Sequence, residues 1–285
     1  MNKSFFEIDL KRGACLALVL LAGGLLVRGW LLFAQLAPPA SALQPGNAAR
    51  HAAARELRRF TQPPAAHPGA EPSAEALLDG FRHVEVASVS DAIEQVLGRR
   101  MYMSHRMQPL FPTKFAGYAI TVELKKQEGP EPLTGLLTAI DQGAPNSVYV
   151  MVVEDGANIA GIGGLMGTAM AARNFAGAVI DGGVRDTAYL RKIQFPVYAL
   201  GIVPSSSMNH YRFAGANIPI TCDGVPVNPH DLVVADSDGV VVVPQGQEAK
   251  VLAVAQGMDF KEHSMYAVIE KNKGIVEAVR VFGRL

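Results

Sequence analysis

The stretch GIGGLMGTAMAARNFAGAVIDGGVRD, residues 161–186, restricts the fold more than any other part of the chain. An apolar run, VYVMVVE, precedes it, and a second, AGAVID, lies inside it. Short apolar runs of this length read as buried strands. Between them stand four glycines in seven positions and then residues that favour a helix over about 165–174. If the two strands are neighbours joined through that helix they run parallel, since a parallel pair needs a crossover of this kind. The segment therefore predicts an α/β domain with a partly parallel sheet.

The flanking sequence extends this pattern. SVSDAIEQVLG predicts a helix with Ser88 or Ser90 as N-cap and Gly98 at its end. KFAGYAITVEL predicts a strand, PLTGLLTAIDQGA a helix, TAYLRKI a short helix and PVYALGIV a strand. Residues 217–244 alternate short strands with turns at Asp223-Gly224, Asn228-Pro229 and Asp238-Gly239. A helix from about Gln247 to Lys273 follows.

Parallel neighbours point the same way, so the loops leaving their C-terminal ends open at one edge, where α/β proteins place ligands. Those loops are 154–164 and 181–186, so Gly161, Gly163 and Gly164 are expected beside Arg185 and Asp186. Glycine lets backbone N–H groups approach a ligand closely, and a helix N-terminus offers unpaired donors to an anion. Arg185 adds a planar fork for a carboxylate or carbonyl oxygen. Asp186 shares an anion site only if a cation intervenes, and a hydrated divalent metal supplies one. Blander readings stand beside these. The glycines serve a tight turn, Arg185 and Asp186 form a solvated pair, and Asp181 caps a turn through its side chain. A dinucleotide fingerprint is a poorer fit, because Met166 occupies the third glycine position of G-x-G-x-x-G.

The N-terminal part differs in character. Residues 13–37 carry no charge apart from Arg28, follow Lys3, Lys11 and Arg12, and precede Ala40-Ser41-Ala42. This predicts a signal peptide or membrane anchor over 1–42, placing the rest of the chain across the membrane. Residues 43–73 are a Pro/Ala-rich linker, which leaves 74–285 as the folded domain. Lys+Arg and Asp+Glu are equal at 26, which argues against nucleic acid as a partner. Cys15 and Cys222 offer no disulfide framework, and Cys222 reads as a small core residue.

Gly163 to Met166 followed by Arg185-Asp186, with VSDAI, AGYAITV, PVYALGIVP and DLVVADSDGVVVVP, resembles the 4-hydroxy-4-methyl-2-oxoglutarate/4-carboxy-4-hydroxy-2-oxoadipate aldolases. These are class II pyruvate aldolases, grouped with the regulator of ribonuclease E activity A. The likeness spans about residues 85–275. It implies a layered β/β/α swivelling-type fold in homotrimers or hexamers with active sites between subunits. It implies a lyase that cleaves a 4-hydroxy-2-oxo acid to pyruvate and also decarboxylates oxaloacetate. Gly163, Gly164, Leu165, Met166 and Arg185 would hold the substrate, and Asp186 would ligate Mg²⁺ or Mn²⁺. Two positions depart from the family pattern: Gly164 and Tyr189 stand where acids are usual. Glu262 is the candidate for an acid supplied by a neighbouring subunit, and His210 reads as a loop histidine. The rival implication is a non-catalytic binding protein of the ribonuclease-regulator type, a branch that lacks the aspartate after the arginine.

Overall fold

A computed structural model describes residues 72–130 and 132–283. The parallel sheet anticipated from residues 148–184 is present and larger than the two strands that reveal it. Strands β1 (Gln108–Pro109), β2 (Phe115–Lys126), β3 (Ser147–Val153), β4 (Ala160–Ile162), β5 (Gly177–Val184), β6 (Val197–Ile202), β7 (Tyr211–Ala216), β10 (Leu232–Asp236) and β11 (Gly239–Val243) form one mixed sheet. Its order is β1-β6-β5-β3-β2-β10-β11, with β4 beside β5 and β7 beside β2. Strands β2, β3, β5 and β6 are mutually parallel. A separate hairpin pairs β8 (Ile220–Cys222) with β9 (Val225–Val227).

Period-two alternation sends the side chains of these strands into two cores. Tyr149, Met151 and Val153 join Ile180 and Ala178 on one face. Val148, Val150 and Val179 point to the other. The first face is covered by α3 (Thr134–Asp141), α4 (Gly164–Ala172) and α5 (Thr187–Lys192), through Leu136, Met170 and Leu190. All three cover the same face because β2, β3, β5 and β6 follow one another in both chain and sheet, and such crossovers share one hand. The second face packs on α1 (Ala74–His83), α2 (Val86–Leu97), α6 (Glu248–Asn272) and the hairpin. A last helix, α7 (Ile275–Phe282), closes the described chain.

Local chemistry explains several boundaries. Gly98 ends α2 with φ 66°, a left-handed conformation that glycine adopts freely. Asp223 and Gly224 turn the hairpin with φ 43° and 83°, the pairing that favours Asp-Gly in two-residue turns. The start of α2 differs from expectation. The helix begins at Val86, ahead of Ser88 and Ser90, and no local side chain caps it. Its Val86 N–H donates to Asp236 Oδ2 at 2.9 Å, and Glu85 N–H donates to Asp259 Oδ1 at 3.1 Å. Tertiary carboxylates thus do the work of a local N-cap. Cys222 is fully buried, as expected of a small core residue.

The expectation of an exported or membrane-anchored chain is corrected: among the described residues no helix is long and apolar enough to cross a membrane. The leader at 13–37 and the linker up to residue 71 lie outside the described residues.

Candidate functional site

A cavity of about 350 Å³ opens at the C-terminal ends of the parallel strands. Each of the four strands contributes. Residues 132–137 follow β2, and Gly161, Ile162 and Gly163 follow β3 by way of β4. Arg185 and Asp186 follow β5, and Ser206, Ser207 and Met208 follow β6. The glycines and the Arg–Asp pair are therefore brought together, as the parallel reading requires.

Close approach is enforced by the missing side chain at Gly163. A Cβ there would lie 2.7 Å from Asp186 Oδ2 and 3.1 Å from Arg185 Nε. The Asp186 carboxylate is held in turn by the backbone: Gly164 N–H donates to its Oδ2 at 2.9 Å. Asp186 has φ 56°, in the left-handed region, which costs a non-glycine residue about 1 kcal/mol or more. The surroundings fix that conformation. Asp186 O accepts from Tyr189 N–H at 3.0 Å and Leu190 N–H at 3.1 Å, while Arg185 N–H donates to Ile162 O at 3.1 Å.

Arg185 Nε lies 3.9 Å from Asp186 Oδ2, and the two side chains are about half exposed. The guanidinium has no hydrogen-bond partner among the described residues, so its fork remains available. Gly163 is the N-cap of α4, and Gly167 N–H makes the first helical bond, to Gly163 O. The N–H groups of Leu165 and Met166 precede that bond and lack an intrahelical acceptor. Both residues line the cavity. The arrangement thus presents an arginine fork, a helix N-terminus and one carboxylate to a single space, which suits an anionic oxygen-rich ligand.

Other residues singled out from sequence fall elsewhere. Asp181 lies within β5, which runs on to Val184, and its Oδ2 accepts from Asp223 N–H at 2.6 Å. It does cap a turn, but the distant one of the hairpin. His210 is an exposed loop residue whose Nδ1 lies 2.9 Å from Glu128 Oε2. Glu262 is half-buried on α6, where its Oε1 accepts from Tyr266 Oη at 2.9 Å. Tyr189 stands beside Gly164, 3.4 Å from where a Cβ would sit. The walls from residues 132–137 and 206–208 escape the sequence reading. Applying the strand-end argument to β2 and β6 as well as β3 and β5 would have found them. Leu136 is also anchored from behind, because the buried Tyr149 hydroxyl donates to its carbonyl oxygen at 3.1 Å. Burial raises that phenol well above its ordinary value, so it stays a donor.

A second cavity, of about 370 Å³, opens at the opposite ends of the same strands. Its cations are engaged: Arg82 donates to Asn146 Oδ1 at 2.8 Å, and Lys114 lies 3.7 Å from Glu85 and 3.9 Å from Asp236. It lacks the helix N-terminus of the first. Among the described residues, no group of three or more His, Cys, Asp or Glu side chains is arranged to hold a metal. What Asp186 offers is a single carboxylate at an open rim. That donor set fits a hard, largely hydrated cation, since Mg²⁺ keeps several waters and binds through one or two carboxylates.

A family model described as RraA-like, Aldolase/RraA, matches residues 86–242, more than half of the chain. The chain belongs to the RraA-like family. A putative 4-hydroxy-4-methyl-2-oxoglutarate aldolase of Halalkalibacterium halodurans is 28% identical over 203 residues, covering 71% of this chain and 91% of that one. The protein of the same name from Deinococcus radiodurans is 34% identical over 133 residues, covering 46% and 78%. Among solved structures, Streptomyces coelicolor RraAS2, an unusual member of the RNase ES inhibitor RraA protein family, matches with a TM-score of 0.61 at 26% identity. That match covers 71% of this chain and 100% of the other. Within this RraA-like chain the matched region holds both Arg185–Asp186 and the glycine turn.

Proposed function

We propose that this RraA-like chain is a divalent-metal-dependent carbon–carbon lyase that cleaves a 4-hydroxy-2-oxo acid and releases pyruvate. The observation that carries the reading is the meeting of the Arg185 fork with the Asp186 carboxylate across Gly163, at the mouth of one cavity. The catalytic domain is residues 74–285, in the layered β/β/α swivelling arrangement. The aldolase names of its relatives support the chemistry.

Arg185 binds the substrate carboxylate through paired N–H donors. The Leu165 and Met166 N–H groups face the keto oxygen, where negative charge grows as the C3–C4 bond breaks. Gly163 and Gly164 let the backbone come close, and the Gly164 N–H keeps Asp186 aimed at the same end of the substrate. Asp186 would hold Mg²⁺ or Mn²⁺, which when bound supplies Lewis-acid polarisation of the 2-oxo acid. No histidine lines the cavity among the described residues, so water takes the C4 hydroxyl proton and returns one to C3. Loss of CO₂ from oxaloacetate shifts electrons the same way, which makes oxaloacetate decarboxylation the expected side activity. Assembly as a homotrimer or hexamer, with Glu262 of a neighbour near the site, belongs to the same proposal.

The likeness to RraAS2 favours a second reading, a non-catalytic regulatory binding protein. Asp186 supports the lyase over this reading, because the branch that only binds a protein lacks the aspartate after the arginine. The test is pyruvate release from a panel of 4-hydroxy-2-oxo acids with Mg²⁺. Arg185→Ala and Asp186→Ala should each lower the rate by about a hundredfold or more, and EDTA should reproduce the second effect. Turnover unchanged in all three cases would refute the lyase.

A further inference from the structure

We infer that the second cavity, at the N-terminal ends of the parallel strands, is a binding site for a small aromatic oxyanion. The ligand is a carboxylate or phosphate ester whose oxygens meet Arg82 and Lys114 and whose ring lies on a phenylalanine floor. No step of the proposed lyase uses this cavity, which opens at the edge of the sheet opposite Arg185 and Asp186.

The engagement of its two cations is loose. The Lys114 side chain is only 28% exposed, yet its Nζ lies 3.7 Å from Glu85 Oε2 and 3.9 Å from Asp236 Oδ2, too far for a hydrogen bond. The Asp236 carboxylate is occupied instead by the Val86 and Asp238 N–H groups, at 2.9 and 3.0 Å. Lys114 therefore meets opposite charge, but its three N–H donors have no acceptor among the described residues. Arg82 donates once, to Asn146 Oδ1 at 2.8 Å, and its contact with Glu75 is an ion pair at 3.6 Å. Glu75 and Glu85 are 72% and 54% exposed. Solvated pairs of that kind are nearly neutral in energy, so they yield to a ligand oxygen at little cost.

The rim around these cations is already formed. Asn146 and Asn174 precede β3 and β5 with φ 63° and 58°, left-handed conformations that asparagine tolerates better than most residues. Asn146 N–H donates to Asn174 O at 2.8 Å, and Asn146 O accepts from Tyr118 N–H at 3.1 Å. The turn that holds Arg82 is thus tied to its neighbours on both sides. Beneath it, Phe115, Phe175 and Phe195 line the cavity and are otherwise buried. A flat ring packs well on such a floor, and a volume of about 370 Å³ suits a ligand of that size. One effect opposes an anion here. The C-terminal ends of α4 and α5 face this edge, each with a partial negative charge of about half a unit that fades beyond the last turn. Two full cations in the wall outweigh it.

The test is calorimetric titration of the full-length protein carrying Arg185→Ala, which removes the cation of the first cavity. The probes are benzoate, phenyl phosphate and the neutral benzamide. At least one anion should bind once per chain with a Kd of about 1 mM or tighter, and benzamide at least about tenfold more weakly. The tighter of the two anions assigns the site to carboxylates or to phosphate esters. Adding Lys114→Met should weaken that anion by about tenfold or more. Adding Asn174→Asp instead places a negative charge on the exposed rim, in a conformation aspartate also tolerates, and should weaken it about two- to fivefold. Should Lys114→Met fail to fold, Asn174→Asp decides alone. No binding of either anion, benzamide bound as tightly as the anions, or an affinity unchanged in either folded variant overturns the inference.

Discussion

Replacing Gly163 by alanine adds one methyl group and removes no functional atom, yet it should cripple the site. The added Cβ would stand 2.7 Å from Asp186 Oδ2, whereas ordinary contact begins near 3.4 Å. The carboxylate must therefore retreat by about 0.7 Å, the difference of those two distances, and Arg185, whose Cγ would be met at 3.0 Å, must shift as well. The retreat also lengthens the 2.9 Å bond from Gly164 N–H that aims Asp186. A misplacement of about 1 Å costs on the order of a hundredfold in rate, so a loss of about ten- to a hundredfold is expected here. The fold should tolerate the change. Gly163 has φ −149°, extended backbone open to any residue, and both displaced side chains are about half exposed. Alanine in place of glycine as N-cap costs about 1 kcal/mol or less, a fall of only about 2–4 °C in melting temperature. The assay is pyruvate release coupled to lactate dehydrogenase, paired with a thermal melt. Undiminished turnover would refute the reasoning, because it would show that the geometry across Gly163 is irrelevant to the chemistry.

Gly164→Glu should behave in the opposite way. A Cβ there meets only ordinary contacts, at 3.4 Å from Asp186 Cβ and Tyr189 Cδ1, so a second acid can join Asp186 and tighten Mg²⁺ binding by about tenfold in calorimetry; no tightening would count against Asp186 as the metal carboxylate. Burial raises the Asp181 carboxyl above its ordinary value, against a smaller opposing pull from the Asp223 N–H. A carboxyl raised on folding contributes most below the ordinary carboxylate range, and that contribution is lost as pH rises through the raised value. Asp181→Asn keeps an oxygen for the Asp223 N–H and should raise the melting temperature more at pH 8 than at pH 4; a larger gain at pH 4 would contradict this. Burial also pushes the Cys222 thiol well up. Iodoacetamide should leave it unlabelled in the native protein and label it in denaturant, as peptide mass spectrometry would show.

The glycine turn, the parallel strands and the Arg185–Asp186 corner were legible in sequence because each is written locally. Asp223-Gly224 turns its hairpin for the same reason. The start of α2 was not legible, since its capping carboxylates are Asp236, 150 positions from Val86, and Asp259, 174 positions from Glu85. Asp181 was read as capping its own turn, and nothing local announces that its partner is the Asp223 amide. Leu133 to Leu137 and Met208 read simply as parts of a helix and a loop. They become a wall only once β2 and β6 are known to lie in the same parallel set as β3 and β5.

That set runs through the sheet in the order of the chain, each strand handing one loop to the same rim. In the proposed lyase, residues 161–166 and 185–186 would grip the reacting end, while 132–137 and 206–208 supply the rest of the cavity wall. On that reading, chemistry and selectivity would be encoded in separate stretches of polypeptide. Mutation can redraw the second without disturbing the first, so relatives with a common reacting corner are free to drift apart in diet.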